Sequence, residues 1–322
     1  MIKVGLVGLG SMGMVHYRAY QNIENTEVVA VVELSPDMVN EKVGVDTVNI
    51  YGTITEMLEK ESLDIIDICT PTYMHADMVV EALKSGAHVT CEKPMALCVE
   101  EAERVLEAAK ESKRLFMVAH VVRFHASHRY FKEVVDSGEL GKALHVSFHR
   151  SCQIPSDWEL WRHDRKKGGG SLLDLSIHDL DFVQYVFGMP QKASCTYHKM
   201  QNENDFVESQ LIYPGTIVQV TSGFYQGDIP FVSSYYAVFE KGYVECRGGI
   251  VTKNGEPVDL KVEQKKEEAK GTNLSDVSGH QLELQYFADC ILQNTAPEIV
   301  TPDSAYDTMR LYKQLLDNCT EV

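Results

Sequence analysis

No run of apolar residues reaches the roughly 18 that a membrane-crossing helix needs, and positive charge is scarce. The 322 residues carry 30 Lys and Arg against 47 Asp and Glu, a net charge of −17 with His neutral. A duplex-binding protein gathers Lys and Arg on one face, because phosphate neutralisation supplies much of its affinity. Here the basic runs are short, Arg165-Lys166-Lys167 and Lys265-Lys266, and solvated surface charge accounts for both. Neither nucleic acid nor a membrane is expected as a partner, and the acidity bears on solubility alone. Cys-x-x-Cys is also missing. The eight cysteines (Cys69, Cys91, Cys98, Cys152, Cys195, Cys246, Cys290 and Cys319) are scattered, with no His-rich partner at zinc-finger spacing. That pattern fits reduced, buried thiols in a cytoplasmic protein. No long apolar segment with a small-residue cleavage site follows Met1, so no secretory leader is expected. Internal repeats and low-complexity tracts are absent too.

What is present is an ordinary globular composition, 44% hydrophobic and 24% charged. The length exceeds one typical domain of roughly 100–200 residues, so two are expected, 1–121 and 122–322. The first begins with a branched apolar strand, Ile2 to Val7, then Gly8-Leu9-Gly10-Ser11-Met12-Gly13, a helical stretch from Met14 to Asn22, and a second apolar strand ending in Glu33. G-x-G-x-x-G alone is weak, but between a strand and a helix, with an acid 20 residues after Gly13, it is a strong dinucleotide signature. Gly8 permits the tight turn, Gly10 lets a pyrophosphate approach the backbone, and Gly13 lets helix and strand pack closely. The helix N-terminus offers N–H groups to the phosphates. Glu33 can accept from ribose hydroxyls and would repel a 2′-phosphate, while Leu34-Ser35-Pro36 supply no Arg. The reading is therefore NAD over NADP.

Strand and helix patterns continue to alternate as far as Ala119, which implies a doubly wound parallel (Rossmann) sheet. Ligands in such sheets sit at the carboxyl ends of strands. Thr70-Pro71 and Glu92-Lys93-Pro94 lie at such ends and are expected to face the cofactor. After about residue 121 the pattern changes. A helix from Ala126 to Ser137 leads into an alternating strand with Leu144, Val146 and Phe148 on one face. Gly168-Gly169-Gly170 precedes a helix from about Leu172 to Phe187. Strands follow from 193 to 200, 206 to 213, 216 to 224 and 235 to 240, which implies an α+β domain with a largely antiparallel open sheet. Lys261 to Asp276 reads as a polar surface loop. Helices from Gln281 to Gln293 and from Asp303 to Asn318 close the chain.

Asp174 and His178 are four apart in the helical segment, so their side chains share a face. A carboxylate in reach can fix the imidazole tautomer and stabilise the imidazolium. Oxidising a secondary alcohol needs such a base, because oxygen loses its proton as carbon loses hydride. On this segment alone a structural reading stands beside the catalytic one: an Asp near a helix start and a satisfied interface His. A metal site of Asp174, His178, Asp179 and Asp181 is disfavoured because Asp179 leaves the shared face, so no metal is expected. Lys93 is open in the same way: a solvated strand-end lysine, or an ammonium that donates to a substrate hydroxyl.

Taken together, these elements resemble the glucose–fructose oxidoreductase/inositol dehydrogenase/MocA family of NAD(P)-dependent oxidoreductases over essentially the whole chain. The likeness rests on the glycine loop, Thr70-Pro71 with His75, Glu92-Lys93-Pro94, Arg123-Phe124, Gly138-Glu139-Leu140-Gly141, and Gly168-Gly169-Gly170 leading to Asp174 and His178. The resemblance implies that Lys93, Asp174 and His178 are catalytic. It implies that Glu92, Thr70, Pro71 and His75 serve the cofactor beside Gly8, Gly10, Ser11, Met12, Gly13 and Glu33. Arg123, Trp161 and Arg162 would border the substrate, the last two within a Trp-rich lead-in from Trp158 to His163. Ser176, where many relatives carry Gly, would alter the pocket wall. The last helix would pack back on the first domain, and the second domain's sheet would join dimers or tetramers. The expected activity is NAD-dependent oxidation of a secondary hydroxyl on a cyclic polyol or sugar, inositol-like. Two rivals come with it: an NAD-dependent glycosidase using transient oxidation, and a non-catalytic dinucleotide or sugar sensor, against which the intact trio argues.

Overall fold

The computed structural model describes residues 1–44, 47–153, 161–162, 164–199, 205–225, 227, 230–260 and 277–322. The loop expected at 261–276 lies outside them, as do 154–160 and His163 of the Trp-rich lead-in. The chain divides into two compact units. Met1–His120 with Gly279–Tyr306 form the first, and Val121–Ser278 with Asp307–Val322 form the second. Residues 279–306 thus belong to the first unit, which a single division at 121 does not capture.

In the first unit the elements run β1 Ile2–Val7, α1 Ser11–Tyr20, β2 Thr26–Val32, α2 Pro36–Lys42, β3 Asn49–Tyr51, α3 Ile54–Lys60, β4 Ile65–Ile68, α4 His75–Lys84, β5 His88–Glu92, α5 Val99–Ser112 and β6 Phe116–Ala119. The six strands form one parallel sheet in the order β3-β2-β1-β4-β5-β6. The order reverses direction beside β1, and the crevice between the carboxyl ends of β1 and β4 is where such sheets take ligands. Central strands carry near-continuous apolar runs because both faces are covered. All of β4 is buried, including Asp67. Leu6, Leu9, Met14, Tyr17, Val31, Val39 and Cys69 pack as one core cluster around the glycine loop. The helix expected from Met14 begins three residues earlier, at Ser11, so the last glycine of the loop already lies in its first turn. β3, only three residues long, had no visible pattern.

The second unit runs α6 Ala126–Ser137, β7 Ala143–Gln153, α7 Gly170–Asp174, α8 Ser176–Phe187, β8 Lys192–Lys199, β9 Asp205–Tyr213, β10 Thr216–Tyr225, β11 Val232–Phe239, β12 Gly242–Arg247, β13 Ile250–Lys253 and β14 Glu256–Pro257. Two more helices follow, α9 Val277–Gln293 in the first unit and α10 Pro302–Asp317, within which the unit boundary falls, then β15 Cys319–Glu321. Nine strands make a mixed sheet, β14-β13-β12-β11-β7-β10-β9-β8-β15, antiparallel except at β7–β10 and β8–β15. Phe131, Phe148, Phe182 and Tyr235 interlock edge-on on its inner face. Such offset contacts add to the burial of each ring. Val146 and Phe148 point inward as expected, but Leu144 is exposed. A register shift opposite it, between Val238 and Phe239, turns Leu144 out of the alternation.

The single helix expected from Leu172 to Phe187 is two helices meeting at Leu175. At the joint, His178 N–H donates to the Leu175 carbonyl rather than to that of Asp174. Serines pin the junction to the sheet. Ser176 and Ser222 share a hydroxyl–hydroxyl hydrogen bond, and the Ser222 hydroxyl donates to the Ser171 carbonyl at 3.2 Å. Ser176 is therefore buried against β10 and holds the helix junction.

Candidate active site

The glycine loop is built for an anion. Gly13 is obligatory, since a Cβ there would stand 1.9 Å from the Gly8 carbonyl oxygen. Gly10 differs: a Cβ would meet nothing within 4 Å, so the backbone is open on that side. Gly10 is the N-cap of α1, no side chain caps the helix, and no acid lies in its first turn. Ser11, Met12 and Gly13 thus present a helix N-terminus with its partial positive charge. Glu33 follows β2 and accepts two backbone donors, Leu9 N–H at 3.0 Å and Leu34 N–H at 2.8 Å. A carboxylate keeps further lone pairs for ribose hydroxyls. The Lys42 ammonium donates to the Leu9 carbonyl at 2.9 Å. No cation was expected beside Glu33 from the residues that follow it; α2 returns one from nine positions on.

Thr70-Pro71 and Glu92-Lys93-Pro94 stand at the carboxyl ends of β4 and β5, and the His75 ring lies between them. Its Nδ1 lies 2.8 Å from the Pro94 carbonyl oxygen and its Nε2 2.8 Å from that of Thr70. Burial pushes the His75 pKa down, and the two carbonyls pull it back up. His75 is 1% exposed, and a neutral ring has one N–H to donate to one of these two carbonyls. The Lys93–Pro94 bond is cis. Lys93 is half-buried, and its N–H donates to Glu92 Oε2 at 3.0 Å. The other Glu92 oxygen lies 3.1 Å from His16 Nε2, on the side of α1 turned to the sheet.

In the second unit the glycine run packs on the residues before it. A Cβ on Gly168 would stand 2.2 Å from the Arg162 carbonyl oxygen and 2.5 Å from that of Trp161. That close approach joins the lead-in to α7. Trp161 and Arg162 are half-buried, and Arg162 Nε donates to Asp174 Oδ2 at 3.1 Å. Asp174 is buried and His178 half-buried. Arg123, expected at the substrate, forks onto Asp181 at 2.8 and 2.6 Å and lies over the Tyr185 ring, with 2% of its surface exposed. Its geometry is that of a scaffold. Asp179 pairs with Arg150.

Sequence reasoning missed Lys42, His16 with its partner Asp67, and Asp205, whose carboxylate accepts Ser171 N–H at 2.8 Å at the start of α7. Only His16 left a signal, a polar residue three positions past Gly13 on the inner face of an otherwise apolar stretch.

Comparison with known proteins agrees with this construction. Residues 2–120 match the GFO/IDH/MocA model described as an oxidoreductase family with an NAD-binding Rossmann fold, and residues 128–245 match the GFO/IDH/MocA C-terminal domain. The chain belongs to the GFO/IDH/MocA family. Within it, scyllo-inositol 2-dehydrogenase (NAD(+)) of Bacillus subtilis is 26% identical over 321 residues, covering 94% of this chain and 90% of that one. The 2,7-anhydro-N-acetylneuraminate hydratase of Mediterraneibacter gnavus is 30% identical over 205 residues, 61% of this chain and 52% of its own. The chain spans only 52–58% of the length of the first curated relatives it matches. Myo-inositol 2-dehydrogenase from Lactobacillus plantarum shares the fold with a TM-score of 0.81 at 20% identity, over 98% of this chain and 96% of that one. The open backbone at Gly10, the uncapped α1 N-terminus and the Glu33 carboxylate all fit the family's NAD: the first two would hold the pyrophosphate, the third the adenosine ribose.

Proposed function

We propose that this family member is an NAD-dependent dehydrogenase that moves hydride between a secondary hydroxyl of a cyclic polyol or sugar, inositol-like, and the nicotinamide. The observation that carries this reading is Lys93, fixed at the carboxyl edge of the parallel sheet by Glu92, with the His75 ring against Pro94. NAD, when bound, supplies the hydride acceptor. Lys93 hydrogen-bonds the reacting hydroxyl, and His178 accepts its proton. Asp174, itself held by Arg162, orients His178, while Trp161 and Arg162 border the substrate. An imidazole with an ordinary pKa of roughly 6.5 suits the base, whereas a lysine at about 10.4 needs strong desolvation to serve. Glu33 favours NAD over NADP by repelling a 2′-phosphate. The likeness to an NAD(+)-dependent scyllo-inositol dehydrogenase along nearly the whole chain supports this substrate class.

A panel of cyclic polyols and sugars with NAD, followed by NADH absorbance, tests the reading. At least one should yield NADH, with a higher kcat/KM for NAD than for NADP; silence across the panel, or an NADP preference, would refute it. The hydratase relative favours one second reading, in which oxidation is transient and activates elimination. Product without net NADH would select it.

We further propose a cytoplasmic homo-oligomer, dimer or tetramer, joined through the outer face of the nine-stranded sheet. No described helix is long and apolar enough to cross a membrane, and every described cysteine is a free thiol. Ile217 on β10 and Tyr236 on β11 stand exposed on the two strands that flank β7. Light scattering that found a monomer at micromolar concentration would exclude the assembly.

A further inference from the structure

Behind Lys93 the first unit buries a set of ionisable side chains that the proposed reaction does not use: His16 on α1, Asp67 and Cys69 at the end of β4, and His280 and Glu283 on α9. Glu92, at the end of β5, connects this set to Lys93. None of the six is more than 9% exposed. His16 Nδ1 lies 2.8 Å from Asp67 Oδ2, and its Nε2 lies 3.1 Å from Glu92 Oε1. The Cys69 thiol donates to Asp67 Oδ1 at 3.5 Å, with its sulfur 3.3 Å from His16 Nδ1. His280 Nδ1 lies 3.1 Å from Glu283 Oε1, and its ring is 5.8 Å from that of His16.

The donors and acceptors do not balance with a neutral His16. An ionised carboxylate only accepts, and a neutral imidazole carries a single N–H. Both contacts become hydrogen bonds only if the ring is doubly protonated. Moving that proton to Asp67 or Glu92 is uphill, since a carboxylic acid at about 4 is a far stronger acid than imidazolium at about 6.5. Burial by itself would lower the His16 pKa, but the Asp67 charge and the hydrogen bonds around the ring outweigh it and raise it well above its ordinary value. Burial opposes the Glu92 charge too, and His16 and Lys93 win, holding it down to about 2. Glu283 goes the other way, pushed up by burial against His280. Tyr20 completes the buried shell from α1, its phenol also pushed up by burial and by Asp67.

We propose that His16 is a positioning residue: as a permanent imidazolium it ties Glu92 to Asp67, and so fixes the Lys93 backbone to the helix that carries the glycine loop. The proposal rests on the reading of Lys93 given above. The chain of contacts is short and continuous. Asp67 holds one side of the ring, Glu92 the other, and the second Glu92 oxygen takes the Lys93 N–H at 3.0 Å. One proton thereby links α1, β4 and β5 at the edge where the cofactor belongs. Losing it leaves two carboxylates facing a single N–H, and Glu92 is released from the helix.

The test starts from the full-length protein with NAD, labelled with 15N at histidine. His16, assigned by cross-peaks to Asp67 and Glu92, should show two ring N–H protons and imidazolium nitrogen shifts from about pH 6 to 9, where an ordinary imidazole loses its proton. A His16 nitrogen without a proton at neutral pH would overturn the proposal, and this measurement needs no variant to fold. His16→Gln, which presents only one amide donor group, should lower kcat by about 10- to 100-fold through misplacement of the reacting group. NAD binding, read by calorimetry, should hardly change, and the Lys93 amide proton should move upfield as its bond to Glu92 loosens. Normal turnover in a folded His16→Gln variant beside an inactive Lys93→Ala variant would overturn this proposal alone. Normal turnover in Lys93→Ala would instead overturn the reading of Lys93. One equivalent of tightly held divalent metal in the purified protein would also overturn the proposal, because His16, Asp67 and Cys69 bring their donor atoms within 4.8 Å of one another and a cation would replace the proton.

Discussion

The two units bury charge in opposite ways. In the second, Arg123 closes its fork on Asp181 and Arg150 closes its fork on Asp179, each with two contacts of 3.0 Å or less. Thr308 adds a hydroxyl to Asp181 at 3.0 Å. A guanidinium is charged at every pH the fold survives, so these pairs are closed and do not switch. In the first, one imidazole stands between two carboxylates and depends on a proton. An arginine fork settles a single acid; a bridging imidazolium joins two acids from different strands to a helix. The arginine pairs hold the second unit in shape. The imidazole sits where α1 meets the ends of β4 and β5.

Four experiments break or sharpen that contrast. The largest effect is expected at His178, a half-buried imidazole in the unit otherwise ruled by arginine forks. His178→Ala should cut kcat by about 10²–10⁴-fold and leave NAD affinity nearly unchanged. The acidic limb of the kcat/KM profile should vanish in that variant, and an unaltered profile with near-normal turnover would pass the role of base to Lys93. Next comes Arg123→Ala, which leaves the buried Asp181 charge without its fork. Breaking such a pair costs about 3–5 kcal/mol, and urea unfolding should give the same loss at neutral and alkaline pH.

A smaller, pH-dependent effect belongs to the first unit. The His16 pKa is raised by folding, so its stabilisation is complete below the unfolded value of roughly 6.5 and is lost as pH rises through the folded value. Glu92 is depressed from 4.5 to about 2, so its share is present above the unfolded value and lost as pH falls toward 2. Unfolding midpoints should decline at both ends in the parent protein, with a shallower alkaline decline in His16→Gln, where only the buried phenols and thiols such as Tyr20 and Cys69 remain to produce it. An alkaline decline as steep in that variant as in the parent protein would place the proton elsewhere. The smallest effect is expected at Lys42. Removing its ammonium from beside Leu9 should widen the preference for NAD over NADP by roughly 2- to 5-fold, the scale of an exposed charge contact. An unchanged ratio of kcat/KM values would show that Lys42 does not reach the 2′ position.

The NAD-binding half could be read directly, and the reason is locality. Gly8, Gly10 and Gly13 with Glu33 were visible because a strand, a tight turn and a helix start make demands within some 25 consecutive residues. The parallel sheet followed from apolar runs that its two-sided burial requires. The helix break at Leu175 was hidden, because Ser176 and Ser171 answer to Ser222, 46 and 51 positions away. The short strands β12, β13 and β14 were hidden because they pair only with one another and with β11 at the sheet's edge. The partners of Arg123 and His75 were hidden as well: Asp181 lies 58 positions from Arg123, and Pro94 lies 19 from His75.

By itself, then, the sequence determined the two-half architecture, the nucleotide loop and the strand ends that carry Thr70, Glu92 and Lys93. Each follows from short-range sterics and periodic burial. The tertiary structure alone decided which charge answers which. His16 meets Asp67 across 51 residues and Glu92 across 76. A buried charge must find an opposite partner wherever the chain brings one, and nothing in the neighbouring residues says where that will be.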